Sequence, residues 1–469
     1  MSSISERLEA MPAWGIEPVP KERRHLSGLD VAVLWGDLGI GLLVMVAGGL
    51  LVPALGFAQA LGVIALGSVI GVTLLALAGV AGADHGVPTM VLFRPVLGIR
   101  GSWLPSVLNV VQLIGWTAVE LWAMAELANL VSSRFFDISA RWLWLSVIAV
   151  ICAALAMWGP VGVARVWMKR FGAWIVVSIS GLVTVMLLLS AGTRSALAAP
   201  GAGGWPTFGA ALDLVIAMPI SWLPLVADYN RFARGPRGAF VGTFLGYLIA
   251  NVWLYSLGAM LILSGDATAD PAGIATGILA IGGGSVAGVL LLTGLLFGET
   301  DEAFADIYSG AVSIQNILPK VPQRMVVLGV TAVSALLAAL FTMTAYEVFL
   351  FLVGSVFVPL FGILAADYFL ARRRRLDVPA LYQSTGAYWY RGGVRIGALV
   401  PWLAGFVVYH WVVPTGPTWW VDLWAGLFGE GLASTAPWLA ASLPSFAVAF
   451  LLAAVSSRLS SPRLSNREV

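Results

Sequence analysis

The stretch FGETDEAFADIYS, Phe297 to Ser309, sets Glu299, Asp301, Glu302 and Asp306 between the apolar runs LLLTGLL and AVSIQNIL. In a soluble loop four carboxylates would mean little, whereas in a membrane-spanning segment they mark a site, so the surroundings decide. The chain has 469 residues, of which 59% are hydrophobic and 11% charged, far from the roughly 25% charged residues of a soluble domain. Apolar runs of about 20 residues, the length that crosses a bilayer, recur from residue 29 to residue 456 with no long polar segment between them. The composition is that of an all-α integral membrane protein with one membrane domain.

The acids then fall inside an expected eighth span, 284–316. On a helix, Glu299, Glu302, Asp306, Ser309 and Ser313 follow one another at spacings of three and four and share one face. A carboxylate at the bilayer centre costs at least about 2.5 kcal/mol on insertion scales. Several on one stripe must therefore face a polar cavity or carry protons. The alternative, a span that begins only after Asp306, leaves GSVAGVLLLTGLLF ahead of the acids, which is too short to cross alone.

Twelve spans are expected between residues 29 and 456: a ten-helix core over 29–371, a basic loop at 372–394 containing RRRR, and two accessory helices within 395–456. With both ends in the cytoplasm, all of the 26 Lys and Arg except Arg134, Arg141 and Arg194 lie inside, as the positive-inside rule requires. Residues 1–28 have no apolar core of the kind a cleavable signal needs and are expected to form a cytoplasmic tail, as is 457–469. The expected location is the cell membrane. Cys152 is the only cysteine, which excludes disulfides within the chain and cysteine metal sites. The net charge of +2 gives no argument for nucleic acid, no obligatory protein partner is evident, and the histidines assemble no metal cluster. No Ser/His/Asp set, phosphate loop or HExxH motif is present, so an enzyme is not expected and no cofactor is implied.

Two spans are interrupted by their own residues. The first reads LWGDLGIG, with Gly36, Gly39 and Gly41 around Asp37, and the sixth reads AMPISWLP, with Pro219 and Pro224 around Ser221 and Trp222. Broken helices at corresponding positions are what a carrier built from two inverted five-helix repeats shows, with cargo and ion near the midplane. The third span, NVVQLIGWTAVELW, aligns Asn109, Gln112, Trp116 and Glu120 on one face. An indole one turn from a carboxyl suits a flat ligand that stacks on the ring and is read at its edge. Asp228 and Asp367, beside tyrosine and arginine at expected helix ends, read as membrane-surface anchors. Glu347 could face either the path or the lipid boundary.

The tail WGIEPVPKERR leading into LWGDLGIG, with NVVQLIGWTAVE, PISWLPLVADYNR and AFADIYSGAVSIQN in that order, resembles the nucleobase:cation symporter family of cytosine, allantoin and hydantoin carriers, most closely its branch of hydroxymethylpyrimidine carriers. The resemblance covers roughly residues 15 to 375. It implies a LeuT-like 5+5 inverted-repeat fold and alternating access. It also implies that Trp116 and Trp222 sandwich a planar heterocycle, with Glu120, Glu302 and Asp306 at its edge and Gln112 and Ser221 nearby. The coupling cation, Na+ or H+, is implied near Gly36, Asp37 and Gly39 of the first helix and Thr300 and Asp301 of the eighth. Glu302 and Asp306 depart from the neutral amides common in the family, a change that suits an aminopyrimidine such as cytosine or hydroxymethylpyrimidine. Asp301 leaves the ion open, either a Na+ site with Gly36, Gly39 and Thr300 or a proton carrier. A carrier of the same architecture for another small solute, such as an amino acid, is the alternative reading.

Overall fold

The computed structural model describes residues 15–158, 173–265, 267–281, 286–340 and 343–460. Of the expected tails, only the parts from residue 15 and up to residue 460 fall within these. The described residues are helical with no strand element, and two isolated bridges tie Leu26 to Ala233 and Arg391 to Val394. The first span is two helices, α1 (Gly28–Asp37) and α2 (Leu42–Gly49), bent by 59° where the glycines stand. There follow α3 (Phe57–His85), α4 (Trp103–Phe136), α5 (Arg141–Trp158), α6 (Ala173–Leu189) and α7 (Phe208–Ser221). A 3-10 turn over Leu223–Leu225 holds Pro224 and leads to α8 (Val226–Asn230). Then come α9 (Pro236–Leu263), α10 (Pro271–Ile281), α11 (Val286–Ile317), α12 (Gln323–Ala338), α13 (Met343–Ala365), α14 (Leu399–Val412), α15 (Thr418–Phe428) and α16 (Ser442–Ser460).

Each expected span has a helix at its place. By length and composition six of the helices could cross a membrane, or eight when each of two bent pairs is one span, fewer than the expected twelve. The remaining four are α11, whose carboxylates lower its hydropathy, and the shorter α12, α14 and α16. The sixth span is less broken than its prolines suggested. Although the α-helix gives way to a 3-10 turn, Phe208–Asn230 runs as one 23-residue span, whereas α1 and α2 diverge. The amphipathic α15, with Trp419 and Leu423 exposed on it, and the short α10 were not expected.

Packing divides the core into two groups. In one, α9 lies against α1, α2 and α3, and α7 and α8 lie against α3. In the other, α4 and α5 pack on α11 and α12. The first, second, sixth and seventh spans are thus together, as are the third, fourth, eighth and ninth, which is the arrangement expected of two five-helix repeats. The first group closes through glycine. A methyl on Gly48 would strike the Tyr255 carbonyl and one on Gly258 the Met45 carbonyl, while Gly36 lies over Gly246. Without water between helices to drive association, such close backbone approach supplies the packing. The second group closes through side-chain hydrogen bonds. Asn109 donates to Ser313 Oγ at 2.8 Å, and Asn316 donates to Ser106 Oγ at 2.8 Å and Ser102 Oγ at 3.0 Å.

One end of the molecule gathers the cations. Arg374 grips Asp84 through two bonds of 2.8 and 2.9 Å, Asp367 pairs with Arg372 and Arg395, and Arg24 donates to the Ala83 carbonyl at 2.9 Å. The N-terminal segment is strapped across this end, with Arg231 Nη1 donating to Gly15 O at 2.7 Å and Tyr382 Oη to Ile16 O at 2.6 Å. Asp367 sits among arginines as expected, whereas Asp228 is no surface anchor: it is buried and accepts the Thr89 N–H at 2.9 Å, because the turn over Thr89–Leu92 needs an acceptor for its first amide.

The glycine contact between α2 and α9 can be tested directly. Gly258→Val should lower the midpoint of thermal unfolding in detergent by the equivalent of about 1–3 kcal/mol. Gly329→Ala, at a position with nothing within 4 Å, should leave it unchanged.

Candidate functional site

Where α1 stops at Asp37, the backbone runs through Leu38–Gly41 before α2 begins, and the first amides of α2 need acceptors. Gly41 stands at the N-cap in an extended conformation and has no side chain to offer. The acceptor comes from elsewhere: the Leu42 N–H donates to Glu299 Oε1 of α11. A methyl on Gly41 would collide with the carboxyls of Glu302 and Glu299, so glycine is what admits both acids to the break. Tyr346 of α13 donates its hydroxyl to the Leu43 carbonyl at 3.0 Å. The acidic stretch is thus inside a membrane helix, and the reading that leaves it in a loop does not hold. Its face is buried from Glu299 to Ser313.

A narrow cavity lies beside the break. From α2 it is lined by Leu43 and Val44, and from α4 by Trp116 and Glu120. Met218 and Ser221 of α7 and Trp222 form a third wall, and Glu302 and Asp306 of α11 the fourth. Every one of these acids is buried, Glu120 at 1% exposure. Three carboxyls close on a space whose lining holds no basic side chain. Such a set is tolerable only with protons, a cation or hydrogen-bond donors brought in from outside.

Each indole is held by its own support. Trp222 meets the edge of Trp35, centroids 6.0 Å apart at 86°, and Trp35 donates Nε1–H to Asn230 Oδ1 at 2.8 Å. Asn230 in turn donates to Thr243 Oγ1 at 2.9 Å. Trp116 packs edge-on against Phe349 at 5.2 Å and Tyr346 at 6.0 Å. Near the sixth-span break the backbone is already partly satisfied, since Gln112 Nε2 donates to Ser221 O at 2.7 Å and Ser221 Oγ to Met218 O at 2.6 Å.

Of the residues expected at the heterocycle, Trp116, Glu120, Ser221, Trp222, Glu302 and Asp306 line one cavity. Gln112 does not; its amide is spent on the Ser221 carbonyl, which makes it a support of the sixth-span break. The expected cation residues lie at the first break. Asp37 is buried with its carboxyl beside that of Asp301. Thr300, next to Asp301 on α11, is buried, and carboxyl and hydroxyl oxygens are hard donors, a set that fits Na+ as well as a proton. Sequence reasoning missed Glu299 as the cap of α2 and Trp35 as the brace of Trp222. Trp35 stood in the LWGDLGIG stretch itself, where the glycines drew the reading. Glu347 accepts from Trp205 Nε1 at 2.5 Å at an exposed position, away from the cavity lining.

Comparison with known proteins agrees. A family model described as permease for cytosine/purines, uracil, thiamine, allantoin matches residues 18–428. The allantoin permease of Bacillus subtilis (strain 168) is 26% identical over 420 residues, covering 83% of this chain and 85% of its own. The hydantoin permease of Microbacterium maritypicum is 26% identical, covering 83% and 82%, and the cytosine permease of Escherichia coli (strain K12) is 25% identical, covering 63% and 67%. Among solved structures, Mhp1, a nucleobase-cation-symport-1 family transporter in a closed conformation with bromovinylhydantoin bound, superposes with a TM-score of 0.80 at 20% identity, over 96% of this chain and 95% of that one. A Na+-coupled sialic acid symporter gives 0.64 at 10% identity, over 94% and 92%. These likenesses establish the LeuT-like fold.

The cap on α2 is open to a stability test. Glu299→Leu leaves the Leu42 N–H unpaired and should cost about 1–3 kcal/mol, read as a lowered unfolding midpoint, whereas Glu299→Gln keeps an acceptor oxygen and should lose much less. Equal losses would assign Glu299 to charge rather than to capping.

Proposed function

Because the chain belongs to the family of permeases for cytosine/purines, uracil, thiamine and allantoin, and is therefore a membrane carrier and not an enzyme, we propose that it imports a nucleobase or related aminopyrimidine, cytosine- or hydroxymethylpyrimidine-like, by cation-coupled symport. The observation that carries this reading is the cavity in which two braced indoles, Trp116 and Trp222, meet three buried carboxyls, Glu120, Glu302 and Asp306. Indole faces suit the faces of a flat ring, and carboxyls suit its ring-nitrogen and amino edge.

The two helix groups give the transport step its parts. Trp222, Ser221 and the α2 residues belong to the glycine-packed group, and Trp116, Glu120, Glu302 and Asp306 to the group tied by Asn109, Ser313 and Asn316. A ring between the indoles touches both groups, so its binding energy depends on their relative position. Rocking one group against the other around the ring opens the site to each side in turn. The co-transported cation, Na+ or H+, binds where Asp37 meets Asp301 and Thr300, at the break of the moving helix, so that cargo and ion both favour the closed arrangement. The cation-rich end, across which the segment from Gly15 is strapped, faces the cytoplasm, in the cell membrane.

Uptake into proteoliposomes tests the sandwich. Trp116→Ala and Trp222→Ala should each reduce heterocycle uptake by roughly tenfold or more, since stacking on one aromatic face contributes about 1–3 kcal/mol per base, while protein recovered after gel filtration remains folded. Wild-type uptake in either variant would remove that indole from the site.

A further inference from the structure

We infer that the cargo binds as a cation, a flat heterocycle whose ring N–H and adjacent amino group form an amidinium-like edge. The inference rests on the reading of the cavity as a heterocycle site and narrows the class of ring it takes.

Hydrogen-bond accounting leads there first. Glu120 Oε2 and Glu302 Oε1 are buried acceptors that no protein donor reaches, and Gly41 leaves the space beside Glu302 clear of side chain. Among the remaining walls Leu43, Val44 and Met218 are apolar, the Ser221 hydroxyl already donates to Met218 O, and the Trp116 indole N–H, itself without a partner, bonds to neither oxygen. The ligand must therefore bring the donors. A neutral aminopyrimidine edge carries one donor group beside one acceptor, so its ring nitrogen would face a carboxylate lone pair unless the acid held a proton. The protonated edge carries two coplanar donors, which match the two oxygens of one carboxylate, and its second amino hydrogen is free for another.

Charge and stacking point the same way. The lining holds three acids and no base, and buried charge is stable only when paired. A positive ring between the faces of Trp116 and Trp222 gains cation–π attraction from each indole that a neutral ring lacks. The same atoms that make the site unsuited to an oxo-pyrimidine such as uracil, whose edge presents carbonyl oxygens to carboxylates, suit a basic aminoheterocycle.

A matched pair of ligands tests this on unaltered, purified full-length protein. 2-Amino-4-methylpyridine and 2-amino-4-methylpyrimidine have the same shape and differ by one ring atom, but just below neutral pH the first is largely protonated and the second is not. Isothermal titration should give the pyridine an affinity at least about tenfold higher, the scale of exchanging a neutral for a charge-assisted hydrogen bond. Glu302→Gln and Asp306→Asn should each shrink that preference to a few-fold. Equal or reversed preference, with cytosine still binding, would overturn the cationic edge and leave the heterocycle site standing, the carboxyls then supplying their own protons. No binding by either compound or by cytosine would overturn both. A preference left intact in Glu120→Gln, Glu302→Gln and Asp306→Asn alike would show that the carboxyls do not read the charge.

Discussion

Carboxyl groups cannot be left idle inside a bilayer-spanning helix, and the way this protein employs those of α11 organises everything near its midplane. A break in α1–α2 frees backbone amides that no water can satisfy at that depth. Glu299 answers one of them at Leu42, and Gly41 yields the room for Glu299 and Glu302 to approach. One helix turn further along, Glu302 and Asp306 look into the cavity instead, while Asp301 turns toward Asp37. A single acidic stretch thus does three things: Glu299 caps a half-helix, Glu302 and Asp306 form the edge of a cavity, and Asp301 meets Asp37 at the same break.

The two groups of helices are fastened by different physics, and the difference matters for a carrier. Glycine contacts such as Gly48 with Tyr255 and Gly258 with Met45 bring smooth backbones together, and they fix α2 to α9 with few directional bonds. The Asn109–Ser313 and Asn316–Ser106 bonds are directional and lock α4 to α11 in one register. Each group therefore holds its own shape, and the cavity at their boundary is where relative motion is felt. Trp35 and Asn230 brace Trp222 within one group while Phe349 and Tyr346 back Trp116, so a stacked ring would be gripped by two rigid platforms rather than by loose side chains.

Much of this was legible in the sequence for definite reasons. Span positions followed from apolar length, and the group of residues at the cavity followed from helical spacing: Trp116 with Glu120, and Glu302 with Asp306, fall one turn apart on faces that do converge. Spacing alone overreached where it treated each polar stripe as one surface. Gln112 and Asn109 share a stripe with Trp116 yet turn to Ser221 and Ser313, because a helix face about 15 Å long, ten residues at 1.5 Å each, meets several neighbours along its length. The proline-rich sixth span was expected to break as the first does, but Pro219 is accommodated inside α7 and Pro224 in a 3-10 turn, and Phe208–Asn230 runs on as one span. Leu43, Val44 and Met218 gave no signal at all, since an apolar residue that lines a cavity and one that fills a core look alike in sequence.

Tryptophan fluorescence of the purified protein, titrated with cytosine, hydroxymethylpyrimidine, uracil, hypoxanthine and allantoin with and without Na+ and at two pH values, tests the central claim most directly, because the indoles that report binding are the ones assigned to hold the ring. Saturable quenching by the aminopyrimidines, strengthened by one of the two cations and abolished without Trp116 or Trp222, is the predicted result. Folded protein that responds to none of these rings under any condition would contradict a heterocycle between the two indoles and assign the same fold to a different solute.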